Sequence, residues 1–172
     1  MKKPARKAPA AEQTAKRNAD ALARVEHMSE PASLRALMVN ARRLDAPDVY
    51  DAAFRRLAEV QAEGDPGSAE RDMWSAINAI EEIKRADSGR TIRLSYLRRD
   101  IEKIGMVPAM DKLVSKPGPS ERFQELIARD FPELTAEAVV MRHSDRFSED
   151  ARARSAERLE GAGIDPARFA PA

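Results

Sequence analysis

Cysteine is absent from this 172-residue chain, histidine occurs only as His27 and His143, and tryptophan only as Trp74. Without cysteine there are no disulfides, no thiolate nucleophiles and no cysteine-ligated zinc. HExxH, a histidine pair four residues apart and a DxDxDG loop are all missing, so no metal motif is readable. The glycines at 64, 67, 89, 105 and 118 never assemble into GxGxxG or GxxxxGK[ST], which removes the usual phosphate cradles. No run of about 18 apolar residues occurs, which excludes a membrane-spanning helix. The opening MKKPARKAPA is charged like the start of a signal peptide, but no apolar segment follows, and a cytoplasmic protein is expected.

β-Branched residues are sparse as well, while alanine is the commonest residue, which favours helix over strand. No segment alternates with period two. Apolar residues instead recur at helical spacing: Leu34, Leu37, Met38, Ala41 and Leu44, then Val49, Ala53, Phe54, Leu57 and Val60. Met73, Ala76, Ile77, Ile80 and Ile83 make a further stripe, and so do Leu94, Leu97, Ile101 and Ile104. Ser68, Ser120, Thr135 and Ser148 stand where N-caps belong, as do Asp45 and Thr91, and Gly105 is read as a left-handed C-cap. The expected fold is all-α, a multi-helix domain of about eight or nine short amphipathic helices. Its expected organisation is a disordered basic tail over 1–12, one helical domain over 13–162 and an irregular end over 163–172. Gly64-Asp65-Pro66-Gly67 is the strongest internal break and the place where the domain could divide.

The formal net charge of +1 conceals an uneven distribution. Residues 1–17 hold Lys2, Lys3, Arg6, Lys7, Lys16 and Arg17 against Glu12 alone, leaving the remainder with 24 basic and 28 acidic residues. Inside that acidic remainder, 84–103 carries seven basic residues against Asp87, Asp100 and Glu102. On a helical wheel Tyr96, Arg99 and Lys103 share the face opposite the Leu94/Leu97/Ile101/Ile104 stripe, with Arg93 and Arg98 at its margins. Arginines interleaved with an aromatic suit phosphate and base contact. A helix, the Gly105 turn and a second short helix share the outline of a helix-turn-helix. The competing reading is a solvated face, in which Asp100 pairs with Tyr96 or Lys103.

Catalytic constellations fail on spacing. His143-Ser144-Asp145 places triad residue types side by side, whereas a triad needs them converging from separate elements. Pro47-Asp48 with Glu82-Ile83-Lys84 matches the letters of a PD…ExK nuclease, but that chemistry gathers its groups at strand ends around a metal. Glu81 and Glu82, adjacent on one helix, are read as a solvated face with Lys84 and Arg85. The sequence therefore predicts a non-enzymatic, nucleic-acid-associated accessory protein, with DNA as the leading ligand and no catalytic residue, metal or cofactor. Its expected contacts are Lys2, Lys3, Arg6 and Lys7 in the tail and Arg90, Arg93, Tyr96, Arg98, Arg99 and Lys103 in the body. The alternative is a helical adaptor or assembly module that binds a partner helix, and homo-oligomers are compatible with either.

Overall fold

Helix stripes that each need a partner dictate how this chain packs. The computed structural model describes residues 10–171 and, among them, contains nine α-helices, three short 3-10 helices and no strand. No helix among these residues is long and apolar enough to cross a membrane. Residues 1–9 of the tail lie outside the described residues, whereas Ala10–Glu12, expected to belong to it, open the first helix. The chain divides into two compact units, the boundary falling between Val60 and Gln61, a few residues before the Gly64–Gly67 break.

The N-terminal unit comprises α1 (Ala10–Val25), α2 (Pro31–Arg43) and α3 (Pro47–Val60). Pro31 occupies the first turn of α2, where its missing N–H has no intrahelical partner to lose. Leu34, Met38 and Ala41 of α2 and Val49, Ala53, Phe54 and Leu57 of α3 are buried, and the two helices pack as an αα-hairpin. α1 packs on α3, and Arg56 of α3 donates through Nε to the Met28 carbonyl at 2.8 Å, fixing the α1–α2 loop.

Asp45, expected as the N-cap of α3, instead closes α2. Its φ of 49° is left-handed, its N–H donates to the Arg42 carbonyl, and the Ala46 N–H donates to the Ala41 carbonyl at 2.9 Å. That pair of bonds is a Schellman motif, with its apolar contact supplied by buried Ala41 and Ala46. Asp130 (φ 61°) repeats the motif: its N–H reaches Ile127, and the Phe131 N–H reaches Leu126. Gly163 (φ 76°) repeats it a third time, over Glu160 and Leu159.

The C-terminal unit runs α4 (Ala69–Ser88), α5 (Ser95–Ile104), α6 (Met106–Val114), α7 (Glu121–Ile127), α8 (Ala136–Arg142) and α9 (Glu149–Gly161). Its centre is α8, a seven-residue helix that packs against α4, α6 and α9. Glu137, Ala138, Val139 and Val140 are each at most 2% exposed, so this helix is enclosed on successive faces. The caps expected at Ser68, Ser120, Thr135 and Ser148 all form, each hydroxyl accepting the N–H three residues on. Asp111 of α6 holds Ser148 in turn, accepting its N–H at 2.7 Å and its hydroxyl at 2.9 Å. The end beyond 163 is ordered into a 3-10 helix, Pro166–Phe169, because Asp165 accepts the Ala167 N–H and Phe169 buries against Phe123, Ala138 and Leu159.

Candidate nucleic-acid interface

The basic stretch belongs to the C-terminal unit, on α5 and the segment that leads into it. Thr91 does not cap this helix. α5 starts at Ser95, after Leu94, because Glu81 of α4 reaches across: its Oε1 accepts the Leu94 N–H at 2.8 Å. The same carboxylate takes Arg98 in a two-pronged grip, Nε to Oε1 and a terminal nitrogen to Oε2, both at 2.8 Å. The Arg98 guanidinium also lies 4.8 Å from the Trp74 ring centre. Its pKa is held above the ordinary arginine value, chiefly by the hydrogen bonds to Glu81. Glu81 and Glu82 are thus not a solvated pair: the Glu81 side chain is 13% exposed and Glu82 is buried.

Buried Leu94 and Leu97 complete the anchoring of α5 and turn its opposite face outward. On that face Tyr96 is 80% exposed, and the Arg99 guanidinium sits 5.2 Å from its ring centre. Lys103 follows one turn later, and Arg90 and Arg93 are exposed on the approach. Arg90, Arg93, Arg99 and Lys103 have no ion pair with another described residue, nor does exposed Glu102 on the same helix. Asp100 pairs with neither Tyr96 nor Lys103; it binds Lys112 of α6 at 3.0 Å, a hydrogen bond that lowers its pKa. The other charges of the stretch are matched: Lys84 to Glu125, Arg85 to Glu82 and Asp87 to Arg129. Ile104, expected to face inward, is 47% exposed at the end of the helix. Lys2, Lys3, Arg6 and Lys7 lie outside the described residues.

A single residue, Gly105, joins α5 to α6 with φ 88° and ψ 164°, so it is not the left-handed cap expected of it. Its N–H donates to Ile101 and its carbonyl accepts from Ala109, ending one helix and starting the next. The second helix of this corner makes a poor reading head. α6 packs against α4, α8 and α9, and its one cation, Lys112, is the partner of Asp100.

His143 meets neither Ser144 nor Asp145 in a triad arrangement; its Nε2 lies 2.9 Å from Asp72 Oδ2. Arg142 donates to that same oxygen at 2.6 Å. Burial would raise the Asp72 pKa, but the hydrogen bonds from Arg142 and His143 outweigh it and hold the carboxyl below its ordinary value. The PD…ExK letters fall on helices: Asp48 is exposed in the first turn of α3, and Glu82 and Lys84 lie inside α4 with partners of their own. Among the described residues no three histidine, aspartate or glutamate side chains gather as a metal site.

A cleft of about 640 Å³ opens between α7 and α9, edged by Pro117–Pro119 and floored by Phe123, Ile127 and Ala162. Its two arginines are engaged, Arg154 by Asp150 and Arg158 by Glu137, so it offers a bound molecule mainly apolar contact. Neither the Asp72 cluster nor the Glu137–Arg158 pair was legible in sequence, since their partners stand 70, 71 and 21 positions apart with no local spacing to mark them. Searches against known protein families, characterised proteins and solved structures find no match to the chain.

Proposed function

We propose that the protein associates with nucleic acid through the outer face of α5 and the segment that precedes it. The observation that carries this reading is the set of unpaired cations, Arg90, Arg93, Arg99 and Lys103, beside a tyrosine that is 80% exposed. An aromatic ring left in water at the centre of a cationic strip gains little from the protein itself. It gains about 1–3 kcal/mol when an unstacked base lies on it. Arg99, already over the Tyr96 ring, extends that platform and adds a charge for the backbone.

The chemistry favours sequence-independent contact with a single strand over readout of duplex base edges. A stacking ring on an exposed helix needs a base out of its stack, and α6 presents no unpaired basic side chain to a groove. Arg98, spent on Glu81, positions the face and is not a contact. Lys2, Lys3, Arg6 and Lys7 add sequence-independent affinity by releasing counterions. The role that follows is that of a non-enzymatic accessory protein of the cytoplasm.

Fluorescence titration of labelled single-stranded and duplex oligonucleotides, at stepped salt, tests the reading. Full-length protein binds at low salt with a steep salt dependence, and Tyr96→Ala weakens single-strand binding more than duplex binding. A chain lacking residues 1–9 keeps part of the affinity. No binding by either form overturns the proposal, and complete loss on removing residues 1–9 removes α5 as the site.

A further inference from the structure

We propose that the groove between α1 and α2 of the N-terminal unit docks an acidic amphipathic helix from a protein partner. This inference is independent of the nucleic-acid reading, which concerns the other unit. The groove encloses about 440 Å³ and has two unlike walls. α2 contributes Leu37, Ala41 and Leu44, positions i, i+4 and i+7 of one helical face, and Leu44 remains 37% exposed. Ala46 and Val49, each 3% exposed, close the floor. α1 contributes Lys16, Arg17, Asp20 and Arg24, three cations against one acid, along about 12 Å of helix.

This geometry has a physical origin. α1 packs on α3 and has one buried residue, Val25, among its sixteen. α1 reaches the Ala41/Ala46/Val49 cluster only through half-buried Ala21 and Leu22, which leaves Leu37 half-buried and Leu44 37% exposed on the side where α1 is charged. Lys16 and Arg24 are exposed and form no ion pair among the described residues, while Arg17 donates only to the neighbouring Asn18 side chain.

The two walls define the occupant. An apolar stripe at i, i+4, i+7 is matched by a helix with apolar residues at the same spacing. The cationic wall is matched by carboxylates flanking that stripe, which suppress wrong partners and set orientation. The chain's own beginning is the wrong segment, since Lys2, Lys3, Arg6 and Lys7 would bring like charge to the wall. Another copy of the chain is a poor match as well: α9 is rich in acids, but its Ala151 and Leu159 are already buried. Nucleic acid would leave the open surface of Leu37 and Leu44 without a counterpart.

The test uses the full chain and a fluorescein-labelled synthetic helix of about three to four turns, with leucine at i, i+3, i+4, i+7 and i+11 and glutamate on the flanks. Two control peptides replace glutamate by lysine or scramble the order. Anisotropy shows the acidic peptide binding with a Kd of about 100 µM or tighter, and both controls at least about tenfold weaker. The exposed double variant Lys16→Glu/Arg24→Glu lowers affinity for the acidic peptide about tenfold and raises it for the lysine peptide. Leu44→Glu weakens both, and circular dichroism reports whether each variant keeps its helix content. Equal binding of acidic and basic peptides, no binding at about 1 mM, or affinities unchanged by the folded variants overturns the proposal. Loss of oligonucleotide affinity in Lys16→Glu/Arg24→Glu, with peptide affinity unchanged, also overturns it and assigns the wall to nucleic acid.

Discussion

Arg158 of α9 donates to the Glu137 carboxylate of α8 at 2.9 Å, with side chains 7% and 3% exposed. The other arm of the guanidinium donates to the Lys116 carbonyl, so one buried arginine ties α9 to the central helix and to the 115–120 loop. Burial pushes the Glu137 pKa up, against the hydrogen bonds and the arginine that draw it down. Removing one partner strands the other charge. Arg158→Ala is expected to destabilise the C-terminal unit by about 3–5 kcal/mol, and the double variant Arg158→Met/Glu137→Leu to recover most of that loss. Urea unfolding of the three chains measures both effects.

Asp72 sets an acid limit. Its folded pKa lies below 3.8, so the ionised carboxylate contributes stability that is complete above 3.8 and is lost as pH falls through the folded value. Asp72→Asn is therefore less stable than the parent at neutral pH, and the gap narrows in strongly acidic solution. Thermal unfolding of both chains across that range checks the sign: a gap constant with pH contradicts the linkage.

Asp45 and Asp130 hold left-handed backbone at a cost glycine does not bear. Asp45→Gly and Asp130→Gly are each expected to stabilise by up to about 1 kcal/mol, and the two gains to add. Gly163→Ala, at the equivalent position of α9, is expected to destabilise by about 1 kcal/mol. Denaturant midpoints decide the matter, provided the slopes stay unchanged.

The α5 face separates contact from scaffold. Arg99→Ala and Lys103→Ala are each expected to reduce the salt slope of oligonucleotide binding by about one and to leave stability nearly unchanged. Arg98→Ala is expected to destabilise by about 2 kcal/mol, since it empties a charged, two-pronged bond to Glu81. Salt-dependent titrations and unfolding curves of the same three variants distinguish the two roles.

The reach of the sequence followed the range of the interactions. Ser68, Ser120, Thr135 and Ser148 were readable as caps because each acts on an N–H three residues away, within one window of sequence. Asp45 misled because Pro47 invites a cap before it, whereas the left-handed turn is imposed by Ala41 and Ala46 closing over one another. Thr91 misled because the start of α5 is set by Glu81, thirteen residues before Leu94. The cationic excess over 84–103 shrank in part for the same reason, since Glu125, which neutralises Lys84, lies 41 positions away from it. What remained of the candidate site, Tyr96, Arg99 and Lys103 on one exposed face, is the part that helical period alone determines.

Gly105 carries a consequence for how this chain can vary. Its φ of 88° with ψ of 164° lies where side chains with a Cβ rarely go, although an added Cβ would meet only ordinary contact, Pro108 Cδ at 3.7 Å. The barrier is in the backbone and not in the space around it. Every single-nucleotide missense change to a glycine codon introduces a Cβ, so no small genetic step relaxes this corner without strain. The direction of α5 relative to α6 is thereby inherited as a fixed unit, while Tyr96, Arg99 and Lys103 can drift one codon at a time on a helix that does not turn with them.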